Sequence, residues 1–392
     1  MGLLLSSYSM LFVVLTSPYQ QNPASALGHV FLLQADSLPY PLWNTIEFVA
    51  GDEDANRFSY VTKGVSGGFT ARYETMLFYE KIHKYVDDEK RDLFIYPLKI
   101  SDTELARIND TLISWVTKED PYKFFTNNCV DGIYNLLKSV LDIQKAPVLL
   151  TPQNLIRLLN KDGKIEKPIL LQFSGNKKET ETFIAQKDMQ IPHKYSRFDL
   201  GLLFFEDFYA NLRFRLFLHD MSDYSGYYSN FITFELLALN IYFNSEKLDI
   251  KELWLARVRS ETPSHGFIYG WSWLLEAGWE GIKTTNIGFG KSHVIFKDYL
   301  FGYLLRGSML EDEQTEFYAG FQIYARVFFT KNYRLGTYFD YLRLTTKDST
   351  AKINIKAWLS IDLSENWNLF AESSIKNATT TYSLMLRYYW GI

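Results

Sequence analysis

The chain contains one cysteine, Cys129, which lies at the start of a segment with helical apolar spacing. Asn127 and Asn128 precede it, and asparagine is a favoured residue at the N-cap of a helix. A thiol in the first helical turn lies at the positive end of the helix dipole, which stabilises the thiolate. Because the thiolate is the nucleophile, this position predicts a catalytic cysteine. The alternative is a small buried apolar residue without a chemical role.

A histidine that could serve as the base, His29, lies far upstream at the first residues of a predicted strand. A cysteine–histidine pair requires the two side chains to be close in space and not in sequence. A third residue should orient the imidazole, and Glu47 and Asn44 on the next predicted strand are the candidates. His83 lies among charged residues of a predicted helix, where we expect it to be solvated.

The strands and helices predicted around Cys129 and His29 indicate a mixed α+β domain over residues 12–190. Strands are predicted within 22–33, at 44–51 and at 93–100, and a glycine-rich loop at 64–69. Helices are predicted at 74–94, at 101–119, from Cys129 and at 151–160, the second with a capping box formed by Ser101 and Glu104.

The first residues allow two interpretations. The run MGLLLSSYSMLFVVLTS is apolar enough for the core of a signal peptide, but it lacks the Lys or Arg that normally precedes that core. The segment Val13–Val14–Leu15–Thr16 could instead be the first strand of the folded domain. Cleavage after Ala26 would then remove structure next to His29.

The second half, residues 195–392, shows strands of period two separated by polar turns. The segment 316–329 is the clearest, and 351–363 and 209–219 repeat its pattern. One face of 316–329 carries Phe317, Ala319, Phe321, Ile323, Ala325, Val327 and Phe329. These strands are long enough to cross a bilayer at a tilt, and Trp and Tyr cluster near their ends. They predict an antiparallel β-barrel that spans the outer membrane; the alternative is a soluble sandwich with its apolar faces packed together.

Composition excludes several classes of function. The net charge of −4 provides no basic excess for binding nucleic acid, so no such partner is expected. The six histidines show no metal-ligand spacing, and the predicted chemistry requires no metal and no cofactor. A single cysteine allows no intrachain disulfide.

The order of a histidine strand before an Asn–Cys helix start is similar to circularly permuted papain-like, or NlpC-like, folds such as the lecithin:retinol acyltransferase class. Three motifs are more specific: SALGHVFL at 25–32, the run at 67–100 and Asn127–Asn128–Cys129. Through them the chain resembles the Lnb-type bacterial lipoprotein N-acyltransferase family. The segments 212–228 and 252–280 resemble a region that follows this domain in proteobacterial members.

The resemblance implies that Cys129 and His29 form the catalytic pair of a periplasmic domain beside the outer membrane. The implied reaction moves a fatty acyl chain from a phospholipid donor, through a Cys129 thioester, to the N-terminal amine of a lipoprotein acceptor. Four further residues are expected to bind the substrate or the oxyanion: Asn128, Ser25, Gly28 and Tyr79. His219 and Asp220 are expected to be a polar pair inside the barrel.

Two other functions stay open. A Cys/His amidase or peptidase of the cell envelope would use the same pair of residues on the same type of fold. A non-enzymatic outer-membrane module would carry a degenerate domain in which His29 and Cys129 lie far apart.

Overall fold

A computed structural model of the protein divides into two compact units, residues 1–192 and 193–391. The structure describes these residues: 10–17, 19, 28–35, 42–51, 68–89, 91–116, 118, 120–123, 127–147, 150–171, 184–185, 196–205, 207–223, 232–261, 263, 271–296, 299–312, 314–328, 332–345, 351–364 and 366–390.

The first unit is built on an antiparallel sheet of eight strands in the order β6-β4-β3-β2-β1-β5-β7-β8. The strands are β1 Met10–Thr16, β2 His29–Ala35, β3 Asn44–Ala50, β4 Phe69–Leu77, β5 Leu93–Pro97, β6 Asp120–Tyr122, β7 Ile169–Leu171 and β8 Ile184–Ala185. The helices are α1 Phe78–Ile82, α2 Asp102–Trp115, α3 Cys129–Lys138 and α4 Pro152–Lys161, and α1 continues as a π-helical turn, His83–Asp88.

The strand interpretation of Val13–Thr16 is confirmed, because β1 lies at the centre of the sheet between β2 and β5. Its residues after Met10 are buried on both faces, as expected for an apolar strand in a covered sheet. Phe78 and Tyr85 pack on one face of the sheet. On the other face, α3 contacts β2 and β3, and α4 contacts β1.

The predicted helix at 74–94 is wrong at its start. Residues 74–77 belong to β4 and pair with residues 44–47 of β3, so the helix begins only at Phe78. The hydrogen bonds of this ladder outweigh the local helical spacing. The capping box predicted at Ser101 and Glu104 is present at the start of α2.

The second unit is a closed antiparallel barrel of twelve strands, which confirms the predicted barrel. Its strands are β9 Ser196–Phe205, β10 Asp207–His219, β11 Ile232–Phe243, β12 Leu248–Ser260, β13 Ser272–Trp279, β14 Lys283–Phe296, β15 Tyr299–Glu311, β16 Thr315–Phe328, β17 Tyr333–Leu344, β18 Ala351–Asp362, β19 Trp367–Lys376 and β20 Thr379–Trp390.

The burial of the barrel's side chains is the inverse of that in a soluble protein. On β16, Phe317 and Phe321 are exposed on the outside, whereas Tyr324 and Arg326 are buried in the lumen. A soluble sandwich would bury the apolar face instead. An apolar outer face around a polar interior is the arrangement of a barrel that contacts lipid.

Among the described residues, no helix has the length and apolar character needed to span a bilayer.

Candidate active site

Cys129 is the first residue of α3, as the sequence predicts. The Asn128 side chain caps the helix: its Oδ1 accepts hydrogen bonds from the N–H groups of Val130, at 2.8 Å, and of Asp131. The Asp131 carboxylate in turn accepts from the N–H of Asn128, at 3.1 Å. This capping box fixes the first turn of α3 and holds the thiol, which is buried, at the positive end of the helix dipole.

His29 is the first residue of β2, and its backbone is anchored to the end of β1. The N–H of His29 donates to the Thr16 hydroxyl at 2.9 Å. Strands β2 and β3 pair only where residues 32–34 meet residues 44–46. Helix α3 contacts both strands, and its first residue, Cys129, forms a side-chain hydrogen bond with His29.

A buried carboxylate orients the His29 ring. Glu47 of β3 is 4 % exposed, and its Oε2 lies 3.1 Å from Nε2 of His29. Because Nε2 faces this carboxylate, the other ring nitrogen, Nδ1, is left to receive the proton of the Cys129 thiol. The arrangement is that of a nucleophile, a base and an orienting acid in series.

Glu47 has a second partner, Lys81 of α1, which is 1 % exposed and donates from Nζ to Oε1. The two carboxylate oxygens therefore hold one cationic group and one imidazole. A buried carboxylate needs such partners to stay ionised.

The pKa values follow from these contacts. Burial alone would lower the pKa of His29, but the charge and hydrogen bond of Cys129, together with those of Glu47, raise it to about 9. Burial would raise the pKa of Glu47, yet the hydrogen bond and charge of His29 and the charge of Lys81 lower it to about 2. Burial lowers the pKa of Lys81, and Glu47 opposes that effect. The site thus favours an imidazolium at His29 beside an ionised carboxylate at Glu47.

The start of α3 also offers a donor for an oxyanion. The N–H groups of Val130, Asp131 and Gly132 already donate to Asn128. Among the described residues, none accepts from the N–H of Cys129. That group can donate to the oxygen of a carbonyl that the thiolate attacks.

Gly132 lets α3 approach the sheet closely. A Cβ atom at this position would meet the ring of Phe48 on β3, so only glycine fits without a shift. The hydroxyl of Tyr73 on β4 donates to the carbonyl of Gly132 at 2.8 Å. These two contacts fix the helix, and with it Cys129, against β3 and β4.

The structure does not bring all the predicted residues together. Gly28 precedes His29 with a φ of 84°, a left-handed conformation that glycine adopts most readily. Asn44 lies three residues before Glu47, so it points to the opposite face of β3 and is roughly 10 Å further along the strand. Tyr79 is 48 % exposed on α1, which begins beside the same end of β3. Ser25 and residues 64–67 of the glycine-rich loop lie outside the described residues.

Sequence reasoning missed Lys81 and Tyr85. The ring centroid of Tyr85 lies 6.0 Å from that of His29, and the Tyr85 side chain is buried. Both residues lie on the apolar stripe that begins at Phe78 and continues through Ile82. The position of Lys81 on this apolar stripe was the available signal. A lysine there is expected to be buried, and a buried lysine almost always has a charged partner.

The two halves of the chain match two different family models. Residues 6–162 match the model of the Lnb N-terminal periplasmic domain. Residues 192–390, half of the chain, match the model of a family described as Domain of unknown function (DUF7840). The chain belongs to the DUF7840 family. It carries an Lnb-type domain before its DUF7840 barrel, as the resemblance seen in the sequence predicted. None of the curated proteins matches the chain.

Solved structures resemble the barrel only distantly. The KdgM porin in complex with disordered oligogalacturonate is 13 % identical, with 50 % of this chain and 99 % of that chain covered and a TM-score of 0.33. An outer membrane channel from Pseudomonas putida F1 is 9 % identical, with 52 % and 99 % covered and a TM-score of 0.34. Structural similarity this distant gives no information on the function of the DUF7840 barrel.

The location of the protein follows from its two parts. The Lnb-type domain is a periplasmic domain, and the DUF7840 barrel is closed and apolar on its outside. Closed barrels of this kind occur in bacterial outer membranes. The protein lies in the outer membrane, with its N-terminal domain in the periplasm.

Proposed function

We propose that this protein is a cysteine acyltransferase. It moves a fatty acyl chain from a phospholipid to Cys129 and then to an amine, the N-terminal cysteine of a lipoprotein. The observation that carries the proposal is the series Cys129–His29–Glu47 at the start of a capped helix. The domain that holds this series is then a permuted papain-like fold.

The first half of the reaction forms a thioester. His29 takes the proton of the Cys129 thiol, and the thiolate attacks the carbonyl carbon of a phospholipid ester. The N–H of Cys129 donates to the oxyanion of the tetrahedral intermediate. When the carbon–oxygen bond breaks, the lysophospholipid leaves with the proton from His29, and the acyl chain stays on sulfur.

The second half transfers the acyl chain. The acceptor amine attacks the thioester carbonyl, and His29 takes a proton from the nitrogen. The carbon–sulfur bond breaks, an amide forms, and the thiol of Cys129 regains its proton. Throughout both halves, Glu47 holds the ring of His29 in one orientation and stabilises its imidazolium form.

Two observations favour acyl transfer over the amidase or peptidase alternative. The catalytic residues lie in a domain of the Lnb type. That domain is also covalently joined to a membrane barrel, which keeps it near a source of phospholipid. The non-enzymatic alternative requires His29 and Cys129 to lie far apart, whereas a hydrogen bond joins them.

Mass spectrometry of the full chain after incubation with phospholipid tests the proposal. We expect a mass gain of one acyl chain that hydroxylamine removes and that is absent from Cys129→Ser and strongly reduced in His29→Gln. His83→Gln is the matched histidine control, because the His83 side chain is 70 % exposed and its Nδ1 lies 3.3 Å from the Asp87 carboxylate, away from Cys129 and Glu47. It should acylate like the wild type.

The alternatives predict other results. An absent adduct together with Cys129-dependent cleavage of peptidoglycan peptides would replace the acyltransferase with an amidase. If the folded protein shows neither the adduct nor peptide cleavage, the non-enzymatic module is the remaining function.

A further inference from the structure

The segment that follows β10, Asp220–Asp223, turns into the barrel lumen. Met221, Ser222 and Asp223 are each no more than 3 % exposed. The segment starts at the end of the barrel at which β9 begins, because Arg215 near the end of β10 pairs with Arg197 at the start of β9. Asp220 and the preceding His219 are therefore part of a polar group inside the barrel, as expected from the sequence.

Ser222 is held by three strands of the barrel wall, none of which is a neighbour of β10. Its carbonyl accepts from Nη1 of Arg334 on β17, at 2.9 Å, and from the hydroxyl of Ser360 on β18, at 2.5 Å. Its own hydroxyl accepts from Nη1 of Arg387 on β20, at 2.7 Å. Three donors from three strands thus converge on one residue in the lumen.

Asp223 adds an ion pair to the contacts that hold the segment. Its carboxylate accepts from Nη1 of Arg197 on β9, at 2.8 Å, and from the hydroxyl of Tyr389 on β20. Asp199 of β9 pairs with the same Arg197 at 2.8 Å, and Asp362 of β18 pairs with Arg334. The arginines that hold the segment are therefore matched by carboxylates, which is the condition for burying such charges.

The layer around the segment leaves no room for water. Several of its polar side chains are 0–1 % exposed: Arg197, Asp199, Ser222, Asp223, Ser260, Glu261, Ser360, Asn368 and Arg387. The walls of an aqueous pore must be reachable by water, and these polar groups are not. The layer is packed like a protein interior across the lumen.

Beyond this layer the lumen opens into a cavity of about 310 Å³. Ser222 and Arg387 belong to its lining, as do Glu280 and Lys376 near the other end of the barrel. Lys376 donates to Glu280 at 3.0 Å. The cavity is thus a cup that opens away from the Asp220–Asp223 segment and ends on it.

We infer that Asp220–Asp223 is a built-in plug, and that the barrel is a membrane anchor and not a channel. Its lumen is a blind cup closed at the end that carries the first and last strands. This inference concerns the barrel alone and does not depend on the chemistry proposed for Cys129.

Conductance of the purified full chain in planar lipid bilayers tests the plug. We expect no steady current from the wild type. Replacement of the whole segment by glycine, D220G/M221G/S222G/D223G, removes the Asp223 carboxylate and the Ser222 hydroxyl and should produce steady ohmic steps. The matched control is Asp249→Ala, which removes an exposed ion pair with Lys251 at the other end of the barrel and should stay silent. Steady current from the wild type would overturn the inference, as would a folded glycine variant that is as silent as the control.

A second measurement does not require the glycine variant to fold. In a Cys129→Ser background, two cysteine variants are exposed to a small charged maleimide from both sides of the membrane: Ser360→Cys, in the buried layer and outside the cavity lining, and Glu280→Cys, in the lining. The plug predicts labelling of Glu280→Cys and no labelling of Ser360→Cys. Equal labelling rates for the two variants would show that water reaches the layer and would refute the plug.

Discussion

The substitution Glu47→Gln tests the orienting role of the buried carboxylate. It keeps the size of the side chain and removes its negative charge. Two partners lose that charge: the imidazole of His29, at 3.1 Å from Oε2, and the ammonium of Lys81, which is 1 % exposed. The change should therefore affect both the chemistry of the site and the stability of the domain.

The loss of stability and the loss of activity have different physical causes. Leaving the charge of Lys81 buried without its carboxylate should lower the free energy of unfolding by about 3–5 kcal/mol. The pKa of His29 should fall below about 9, because the variant keeps the larger effects of burial and of Cys129 but loses the hydrogen bond and charge of Glu47, which help to raise it. A base without its orienting acid should form the acyl adduct about 10²-fold more slowly, the lower end of what acid–base catalysis contributes.

A double variant separates these effects. E47Q/K81M removes both buried charges, so it should regain much of the stability that E47Q loses. It should not regain the rate of adduct formation or the raised pKa of His29, since neither substitution restores a carboxylate. Adduct formation is followed by mass spectrometry, stability by pulse proteolysis in urea, and the pKa by the ring resonances of labelled histidine, assigned through His29→Gln.

The pH dependence of stability provides an independent check. The raised pKa of His29 stabilises the fold below pH 6.5, and this contribution is lost as the pH rises through about 9. The lowered pKa of Glu47 stabilises the fold above pH 4.5, and that contribution is lost as the pH falls through about 2. Glu47→Gln should abolish the acid-side loss and weaken the alkaline-side one. If the variant acylates at the wild-type rate, or if its His29 still titrates near 9, Glu47 does not orient the base.

Three further substitutions have defined outcomes. Asn128→Ala should cost about 1 kcal/mol of stability and slow iodoacetamide alkylation of the thiol, whereas the capping control Ser101→Ala should cost a similar amount and leave alkylation unchanged. Gly132→Ala should destabilise the first domain by about 1–3 kcal/mol in the same urea assay, because the added Cβ meets an aromatic ring, and unchanged stability would contradict this close approach. Leu305→Arg, at a lipid-facing position that is 68 % exposed, should destabilise the barrel by about 2–4 kcal/mol in vesicles, and Leu305→Ser should do so less.

Much of the barrel was predictable because a strand's two faces are fixed by local alternation. The period-two pattern at 316–329 corresponds to β16, with Phe317 outside and Arg326 inside, whichever strands lie beside it. Whether the apolar face met lipid or another sheet was not encoded in one strand. The closure of twelve strands decided it, because a closed barrel has no second sheet on which to pack that face.

The sequence by itself determined the start of the nucleophile helix, because Asn128 and Asp131 cap α3 through contacts within four residues. It did not determine which residue would meet the base. Asn44 and Glu47 lie on the same strand, and only the pairing of β3 with its neighbours turns Glu47 toward His29. Lys81 and the plug at Asp220–Asp223 depend on tertiary structure in the same way, since a buried charge is tolerated only where distant parts of the chain supply its partner.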